Sequence, residues 1–405
     1  MPNTPKGALR PLPERPDLRH LKDQAKALLK ACGAESLTDA QFRIAQIYGY
    51  ASWPKLKAYV NSLKEVGRLK EAIDANDFDQ VRSLMTRYPA LHEAPLGRNK
   101  NGPLTLAAEC QAPGPPAPER LAIAKWMIEN GSDVHRGGDA PLMRASLRGD
   151  RAPMMALLVE HGADVNAECG GDYPILWSPC ETIDPIAMQW LLKNGADPNC
   201  PKPGRTETAL DYLIEAYSRS ASLGTCIDLL RQAGGRTRYD LPGVIDTMTD
   251  RADQLAVQLN ADPSLVHRRF PELTFGNSGL RRLQLAGATL LHVAAEYGSM
   301  ECARLLVTRG ASVNMPALID AAGIGGQTAI FHAVTQSDDR GLPMVDILLA
   351  HGADLSLRVK LPGHYERLGE FLDCTPQEYS IAFSGDDVPN SNATVRRLRE
   401  ATGGT

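Results

Sequence analysis

Aromatic residues are scarce in this sequence, and long apolar runs are absent. Phenylalanine, tryptophan and tyrosine together make up 5% of the 405 residues. No run of about 18 apolar residues occurs, which excludes an ordinary membrane-spanning helix. The N-terminal segment MPNTPKGALRPLPERP lacks the apolar stretch of a secretory signal. We therefore expect no membrane segment, and thin layers packed through small side chains.

Motifs for metal binding and catalysis are also missing. The eight cysteines are never spaced as C-x-x-C, which argues against a zinc ribbon or a redox pair. No P-loop, G-x-S-x-G or H-E-x-x-H motif occurs. His332 and His364 are the histidines whose positions are hardest to explain, so a catalytic role for either is the enzymatic alternative. We predict a non-enzymatic protein without cofactor or metal and, because we interpret the cysteines as reduced, a cytoplasmic one.

Two short predicted helices stand out in residues 289–314, which read TLLHVAAEYGSMECARLLVTRGASVN. The first helix begins at Thr289, a suitable N-cap, and ends at Gly298, since glycine readily takes the left-handed conformation that closes a helix. The second helix covers residues 300–309 and ends at Gly310 in the same way. Two helices of this length bury too little surface to be stable alone, so they must stack on similar units.

The chain repeats this pattern several times. The second helix recurs as LLVEHGADVN at 157–166, LLKNGADPN at 191–199, LLVTRGASVN at 305–314 and LLAHGADL at 348–355. Matching first-helix starts are PLTLAA at 103–108, APLMRAS at 140–146, YPILWS at 173–178, TALDYL at 208–213 and TAIFHA at 328–333. These motifs resemble the ankyrin repeat, whose first helix carries T-P-L-H-x-A at a period of about 33 residues. The resemblance implies an all-α ankyrin-repeat solenoid of stacked helix-turn-helix units with hairpin fingers.

Three regions follow from this pattern. Residues 1–16 are rich in proline and are expected to form a flexible arm. Residues 17–64 form a helical module, and its part LTDAQFRIAQIYGYASWPKLKAYV resembles a module found at the start of some bacterial ankyrin proteins. We interpret it as an N-terminal cap, and we place the cap region of its second helix at Thr38 and Asp39. Residues 65–405 hold about nine helix pairs, the last of which is a C-terminal cap.

Insertions interrupt the repeats. The proline-rich segment QAPGPPAPER at 111–120 is expected to loop out between two helices. Three later insertions, Pro271 to Ala288, Met315 to Gln327 and Val359 to Cys374, fall where ankyrin proteins place their hairpin fingers. Long loops of this kind are either functional or disordered, and the sequence does not choose between the two.

Charge is distributed unevenly along the chain. Residues 1–64 contain 11 basic and 5 acidic side chains, whereas the remainder has 33 basic and 43 acidic ones. A basic helical head could contact nucleic acid or an acidic partner. Pairing of the head with the acidic body of the same chain explains the asymmetry equally well, so nucleic-acid binding remains a minor alternative.

The resemblance also implies where a partner binds, because ankyrin proteins use finger tips and the exposed part of the first helix. The corresponding finger positions are Asn101, Asp139, Asp172, Glu207 and Gln327, and the helix positions are Glu109, Arg148, Glu181, Glu215, Glu296, Tyr297 and Gln336. Seven of these twelve are acidic, so we expect a negative stripe along the concave face that attracts a basic partner. Ordinary solvated charges are the alternative interpretation.

The sequence therefore predicts a non-enzymatic scaffold or adaptor. It would bind another protein through the concave ankyrin groove and the long late fingers, and would act as a monomer. The alternative is a regulatory or host-directed protein whose basic N-terminal module contacts nucleic acid or a second partner. Because one fold supports many functions, the partner itself does not follow from the repeats.

Overall fold

The computed structural model describes residues 10–13, 16–109, 114–199, 206–216, 219–276, 281–364, 366–367, 369–385, 388–389 and 392–403. Most of the predicted flexible arm lies outside these residues, and so does the segment 111–113 of the first insertion. The chain divides into two compact units. The first comprises Met1–Pro179 and Ile186–Asp197, and the second comprises Cys180–Pro185 and Pro198–Thr405.

Helices dominate the described chain, as predicted. The first ten are α1 (Leu18–Lys30), α2 (Leu37–Ile47), α3 (Trp53–Asp74), α4 (Phe78–Arg87), α5 (Pro103–Glu109), α6 (Pro118–Glu129), α7 (Arg136–Ala145), α8 (Ala152–Glu160), α9 (Trp177–Thr182) and α10 (Pro185–Lys193). The next ten are α11 (Ala209–Glu215), α12 (Leu223–Gln232), α13 (Val244–Met248), α14 (Ala252–Ala261), α15 (Leu290–Tyr297), α16 (Met300–Thr308), α17 (Ala329–Ala333), α18 (Leu342–Ala350), α19 (Pro376–Ala382) and α20 (Asn392–Ala401).

Short strands and 3₁₀ turns complete the described structure. The antiparallel strand pairs are β1 (Glu168–Cys169) with β2 (Tyr173–Pro174), β3 (Val359–Pro362) with β4 (Phe371–Cys374), and β5 (Ser384–Gly385) with β6 (Val388–Pro389). The 3₁₀ turns are Pro89–Glu93, Arg98–Lys100, Gly149–Arg151, Pro263–Val266 and Ser337–Asp339. No described helix combines the length and the apolar character needed to span a bilayer.

The N-terminal module begins the first unit. Leu21 and Ala25 of α1 pack with Ile44 of α2 and Leu56 of α3 in a small core. The N-cap of α2 is Ser36, whose hydroxyl accepts the backbone N–H of Asp39 at 3.1 Å. The N-cap therefore lies two residues before Thr38, because serine is a favoured N-cap residue, and Asp39 belongs to the cap since its carboxylate accepts the backbone N–H of Glu35 at 3.0 Å.

The expected boundary after residue 64 falls inside one helix. α3 starts after the N-cap Ser52 and continues without a break to Asp74, although the sequence suggested separate helices on either side. Gly67 lies in its middle and does not end it. A glycine in a helix interior costs only about 0.5–1 kcal/mol relative to alanine, which the packing of a long helix can offset.

Alternate helices of the first unit stack on one another. α5 contacts α7, while α4 contacts α6 and α6 contacts α8. Within the pairs, α5 contacts α6 and α7 contacts α8. The predicted loop at 111–120 ends earlier than expected, because α6 begins at Pro118. Proline is well tolerated at the first position of a helix, where its missing N–H would have no partner.

The second unit shows the same arrangement in two clear layers. α13, α15, α17 and α19 follow one another in one layer, and α14, α16, α18 and α20 follow one another in the other. Thr289 and His292 form a capping box at the start of α15, with 2.9 Å between Oγ1 and Nδ1. The Nε2 of His292 also bonds the carbonyl oxygen of Gln327 at 3.0 Å. The histidine of the first-helix motif therefore joins neighbouring repeats by hydrogen bonds.

The three late insertions form ordered fingers over their described residues. We call Pro271 to Ala288 the first finger, Met315 to Gln327 the second and Val359 to Cys374 the third. Phe270 and Ala288 form an antiparallel bridge at the base of the first finger, and Ile319 and Gly325 form one in the second. β3 and β4 form the hairpin of the third finger.

Candidate partner-binding site

A groove of about 310 Å³ runs across the three fingers, and we call it the finger groove. Apolar side chains dominate its lining. The side chains of Leu318 and Ile319 are unusually accessible, since Leu318 is 44% exposed and Ile319 is 62% exposed. Its described lining residues are Leu283, Gln284, Ala286, Leu318, Ile319, Asp320, Ile324, Gly325, Gln327, Leu361 and Pro362.

Hydrogen bonds between the fingers hold this groove together. The backbone N–H of Gly325 in the second finger donates to the carbonyl oxygen of Lys360 in the third, at 3.0 Å. The Nε2 of Gln327 donates to the carbonyl oxygen of Gln284 in the first finger, at 2.8 Å. Each finger is therefore fixed to its neighbour, and the groove exists before any partner arrives.

A buried ionic cluster lies beneath the fingers. The carboxylate of Glu296 in α15 accepts hydrogen bonds from Arg281 at 2.7 Å, from Arg219 at 3.0 Å and from the Nδ1–H of His332 at 2.8 Å. Burial alone would raise the pKa of Glu296, but the charge of Arg281, the His332 bond and the charge of Arg219 lower it to about 2. Arg281 is 1% exposed, so it anchors the first finger and is not available to a partner.

The neighbouring histidines are held neutral. Burial lowers the pKa of His332, although its bond to Glu296 opposes this shift. Burial and the nearby His332 ring lower the pKa of His292 to about 3. The two rings meet edge to face with their centroids 5.9 Å apart. This pair is part of the packing between α15 and α17.

Comparisons with known proteins agree with the repeats seen here. The family model described as ankyrin repeats (3 copies) matches residues 255–359, and the model described as ankyrin repeat matches residues 137–169. The chain contains ankyrin repeats over these residues. Ankyrin repeats generally mediate protein–protein interaction. The bacterial origin suggested by the N-terminal module stays a prediction.

Two individual proteins resemble parts of this ankyrin repeat protein. The mouse B-cell lymphoma 3 protein homolog is 34% identical over 114 residues, which is 27% of this chain and 23% of that protein. The ankyrin repeat domain of human ASB11 has 18% sequence identity and a TM-score of 0.32. That comparison covers 64% of this chain and 97% of the ASB11 chain.

Four of the twelve predicted partner-binding residues of this ankyrin repeat protein are buried. They are Asp139, Glu296, Gln327 and Gln336. Asp139 accepts the backbone N–H of Asp164 at 2.6 Å, and Gln336 donates to the carbonyl oxygen of Glu296 at 2.9 Å. The expected exposure of these positions is wrong, because their polar groups bond other residues of the same chain. Asp139 and Glu296 therefore cannot belong to an exposed negative stripe.

The other eight positions are at least partly accessible, but several have partners. Glu109 pairs with Arg144, Arg148 pairs with Asp150, and Glu215 pairs with Arg238. The hydroxyl of Tyr297 donates to the carbonyl oxygen of Ile214 at 2.8 Å. Asn101 and Glu181 are half-buried, and Asp172 and Glu207 are exposed. Arginines of the same chain therefore neutralise part of the negative charge that was expected to attract a basic partner.

Sequence reasoning missed the residues that shape the finger groove. Leu318 and Ile319 are large apolar side chains within an insertion, and each is more than 40% exposed. A usable signal was present, since Leu318 and Ile319 stand in a segment that ends in the glycine-rich run GIGG at 323–326. Two apolar residues beside a glycine-rich turn indicate a hairpin whose side chains lack a core of their own.

A second, polar cleft of about 590 Å³ lies among helix ends of the second unit. Its cations include Arg219, Arg251 and Arg340, and its anions include Asp228 and Asp250. Arg251 pairs with Asp228 at 2.6 Å, and Asp250 accepts backbone N–H groups at the start of α16. The opposite charges largely offset one another, so this cleft selects no particular ligand charge.

Proposed function

We propose that this ankyrin repeat protein is a non-enzymatic scaffold or adaptor that binds another protein, with the finger groove as its principal contact surface. The observation that carries the proposal is the exposure of Leu318 and Ile319 beside a preformed apolar groove. Burying an aliphatic side chain contributes about 1.5–3 kcal/mol. These two residues can therefore supply a useful part of the free energy of binding.

His332 and His364 are the two histidines that the enzymatic alternative invokes. The surroundings of both support a structural role. His332 is fully buried and bonded to Glu296. The Nδ1 of His364 accepts the backbone N–H of Glu366 at 3.2 Å, and its ring stacks on Phe383 with 6.5 Å between centroids. The Arg281–His364 bridge also places this histidine in the frame of the fingers.

Exposed positions on the first helices and fingers of each unit are separate secondary contacts in this proposal. Asp172 in the first unit and Glu207 in the second are the best candidates, because both are exposed. We further propose a monomeric, cytoplasmic protein. The described cysteines support that location, since they are Cys32, Cys169, Cys180, Cys226, Cys302 and Cys374 and all are free thiols.

Affinity capture tests the proposed site. The wild-type protein, Ile319→Asp and Val257→Asp would each be immobilised and exposed to a lysate of the source cell. Val257 is the matched control, because it is an aliphatic residue that is 68% exposed and lies on α14, outside the fingers. We expect one or more proteins to be retained by the wild type and by Val257→Asp but lost with Ile319→Asp. Identical retention by all three would count against the finger groove.

A second candidate function rests on the N-terminal module. Arg19, Lys22, Lys26 and Lys30 are all exposed and follow one face of α1 at helical spacing. Such a row could follow a phosphate backbone. Fluorescence anisotropy of the full chain with labelled duplex DNA, repeated from low to high salt, tests this idea. Salt-sensitive binding that Lys22→Glu with Lys26→Glu abolishes would support it, and unchanged binding would contradict it.

A further inference from the structure

The second finger presents an unpaired backbone edge. Its hairpin is closed by bonds from the Asp320 N–H to the Ile324 carbonyl and from the Gly326 N–H to the Leu318 carbonyl. Between these bonds, the Ile319–Gly325 bridge is a non-hydrogen-bonded pair, so the N–H and C=O of both residues point away from the hairpin. On one side Gly325 uses its N–H to bond Lys360. On the other side, neither polar group of the Ile319 backbone has a partner among the described residues.

This edge borders the finger groove, because Ile319 lines the groove and its side chain is 62% exposed. An exposed edge strand is a template for pairing with another extended chain. The edge is also short, and Asp320 follows it directly. Those features limit unwanted pairing between copies of the chain and leave room for one short segment.

An unsatisfied acceptor lies in the same lining. Gln327 is 4% exposed and uses its Nε2 to reach the first finger, while its Oε1 has no hydrogen-bond partner in the described structure. A buried carbonyl oxygen without a donor costs about 1–3 kcal/mol. A donor from a segment in the groove would remove this cost if the Gln327 side chain turned towards it.

The charges beside the groove select the chemistry of that segment. Arg282 and Lys360 flank the lining residues Leu283 and Leu361, and neither forms an ion pair within the described chain. Lys360 lies over the ring of Phe371, with 5.2 Å from Nζ to the centroid. The one carboxylate in the described lining is Asp320, whose Oδ1 accepts the N–H groups of Ala322 and Ile324. The described lining is therefore mainly apolar with one carboxylate, and two cations adjoin lining residues in the sequence.

We propose that the finger groove binds an extended segment of a partner protein that alternates aliphatic and acidic residues, by strand pairing with the backbone of Ile319. The proposal rests on the proposed function, since it specifies the partner class of the same groove. Aliphatic side chains enter the groove beside Leu318, acidic side chains face Arg282 and Lys360, and the partner backbone bonds the N–H and C=O of Ile319. This chemistry is opposite to the basic partner that an acidic stripe would attract.

A peptide library displayed on phage, with nine random residues, tests the proposal on the full-length protein. We expect enriched peptides that combine aliphatic and acidic residues. The leading peptide would then be synthesised with N-methyl groups on alternate amides, in two registers. Strand pairing uses alternate backbone N–H groups, so one register should bind at least about tenfold more weakly while the other keeps its affinity. Equal effects in both registers, or enrichment of basic peptides, would overturn the proposal.

Two variants locate the binding. Ile319→Pro removes the free N–H without breaking a hydrogen bond of the fold, and Lys360→Glu reverses the charge beside the groove. Each should weaken the leading peptide about threefold to tenfold, whereas Val257→Asp should not. Unchanged affinity in Ile319→Pro and Lys360→Glu would overturn strand pairing at this edge, as would a library that yields no enriched peptide. The capture experiment with Ile319→Asp tests the proposed function separately, because that experiment measures binding of folded proteins from a lysate and not of isolated peptides.

Discussion

Arg281 of the first finger and Glu296 of α15 form an ion pair that is almost completely buried, with 2.7 Å between Nη2 and Oε2. Their side chains are 1% and 0% exposed. Arg219 and His332 bond the same carboxylate, so one acidic residue connects the first finger with two further segments of the second unit. The position of the finger groove therefore depends on a charge that no partner can reach.

Removal of this carboxylate should destabilise the second unit. Glu296→Gln leaves two buried guanidinium groups without a counter-charge, and breaking a buried pair in this way costs about 3–5 kcal/mol. Urea unfolding followed by circular dichroism measures the loss. Glu301→Gln is the control, because Glu301 pairs with Arg304 on the surface, where such pairs contribute at most about 1 kcal/mol. Similar stability of the two variants would show that the cluster is not structural.

Stability should fall on acidification in two stages. The pKa of His292 is about 3 in the folded protein, against an ordinary value of 6.5, so the unfolded chain binds the extra proton first. The contribution of neutral His292 to the free energy of unfolding is complete above pH 6.5. It is lost as the pH falls towards 3, with a slope of up to about 1.4 kcal/mol per pH unit. His332 acts in the same direction, since burial lowers its pKa too. Below pH 4.5, Glu296 adds a second loss that extends to about pH 2.

Unfolding free energies measured between pH 7 and pH 4.5 test the first stage. We expect a shallower pH dependence in His292→Gln than in the wild type. His267→Gln, which changes an exposed histidine outside the buried cluster, is the matched control. If the unfolding free energy of His292→Gln depends on pH as steeply as that of the wild type, other groups cause the acid sensitivity.

Two glycines of the first unit should respond to alanine with opposite signs. Gly162 follows α8 with a φ of +102°, a region that alanine enters at a cost of about 1–2 kcal/mol. Gly67 lies inside α3, and a Cβ at this position would have no atom within 4 Å, so Gly67→Ala should stabilise the helix by about 0.5–1 kcal/mol. Melting temperatures measure both changes. A stabilising Gly162→Ala would contradict the cap geometry.

Charge reversal at the acidic positions should separate structural charges from solvated ones. Glu215 accepts hydrogen bonds from Arg238 and, at 2.8 Å, from the hydroxyl of Tyr239, so Glu215→Lys should destabilise the second unit by about 1–3 kcal/mol. Glu207→Lys changes an exposed residue and should stay within about 0.5 kcal/mol of the wild type. Thermal unfolding distinguishes the two. Equal stability of both variants would mean that Glu215 is an ordinary solvated charge.

The helix pairs and their signature contacts follow from the sequence. Thr289 and His292 stand three residues apart at a helix start, where their side chains can satisfy the terminal N–H groups, and the structure shows those bonds. Gly298 and Gly310 end their helices with positive φ, as predicted. These features are local, because each depends on residues within a few positions of one another.

The contacts between distant segments could not be predicted in this way. The burial of Glu296 depends on Arg281 and Arg219, which lie 15 and 77 residues away in the chain. The motif predicts that the end of a first helix is exposed. It does not reveal that Arg281, which lies in an insertion, pairs with Glu296 and buries it. The continuity of α3 past Lys64 is a similar case, since packing on neighbouring helices outweighs a weak local stop signal at Gly67.

Site-specific photocrosslinking tests partner binding at the fingers most directly. A photoreactive phenylalanine derivative would replace Ile319 in one variant and Val257 in another, and both proteins would be irradiated in a lysate of the source cell. We expect a discrete adduct with another protein at position 319 and none at position 257. That adduct should disappear when the acidic, aliphatic peptide is added in excess. Equal or absent crosslinking at the two positions would contradict the finger groove as the binding surface.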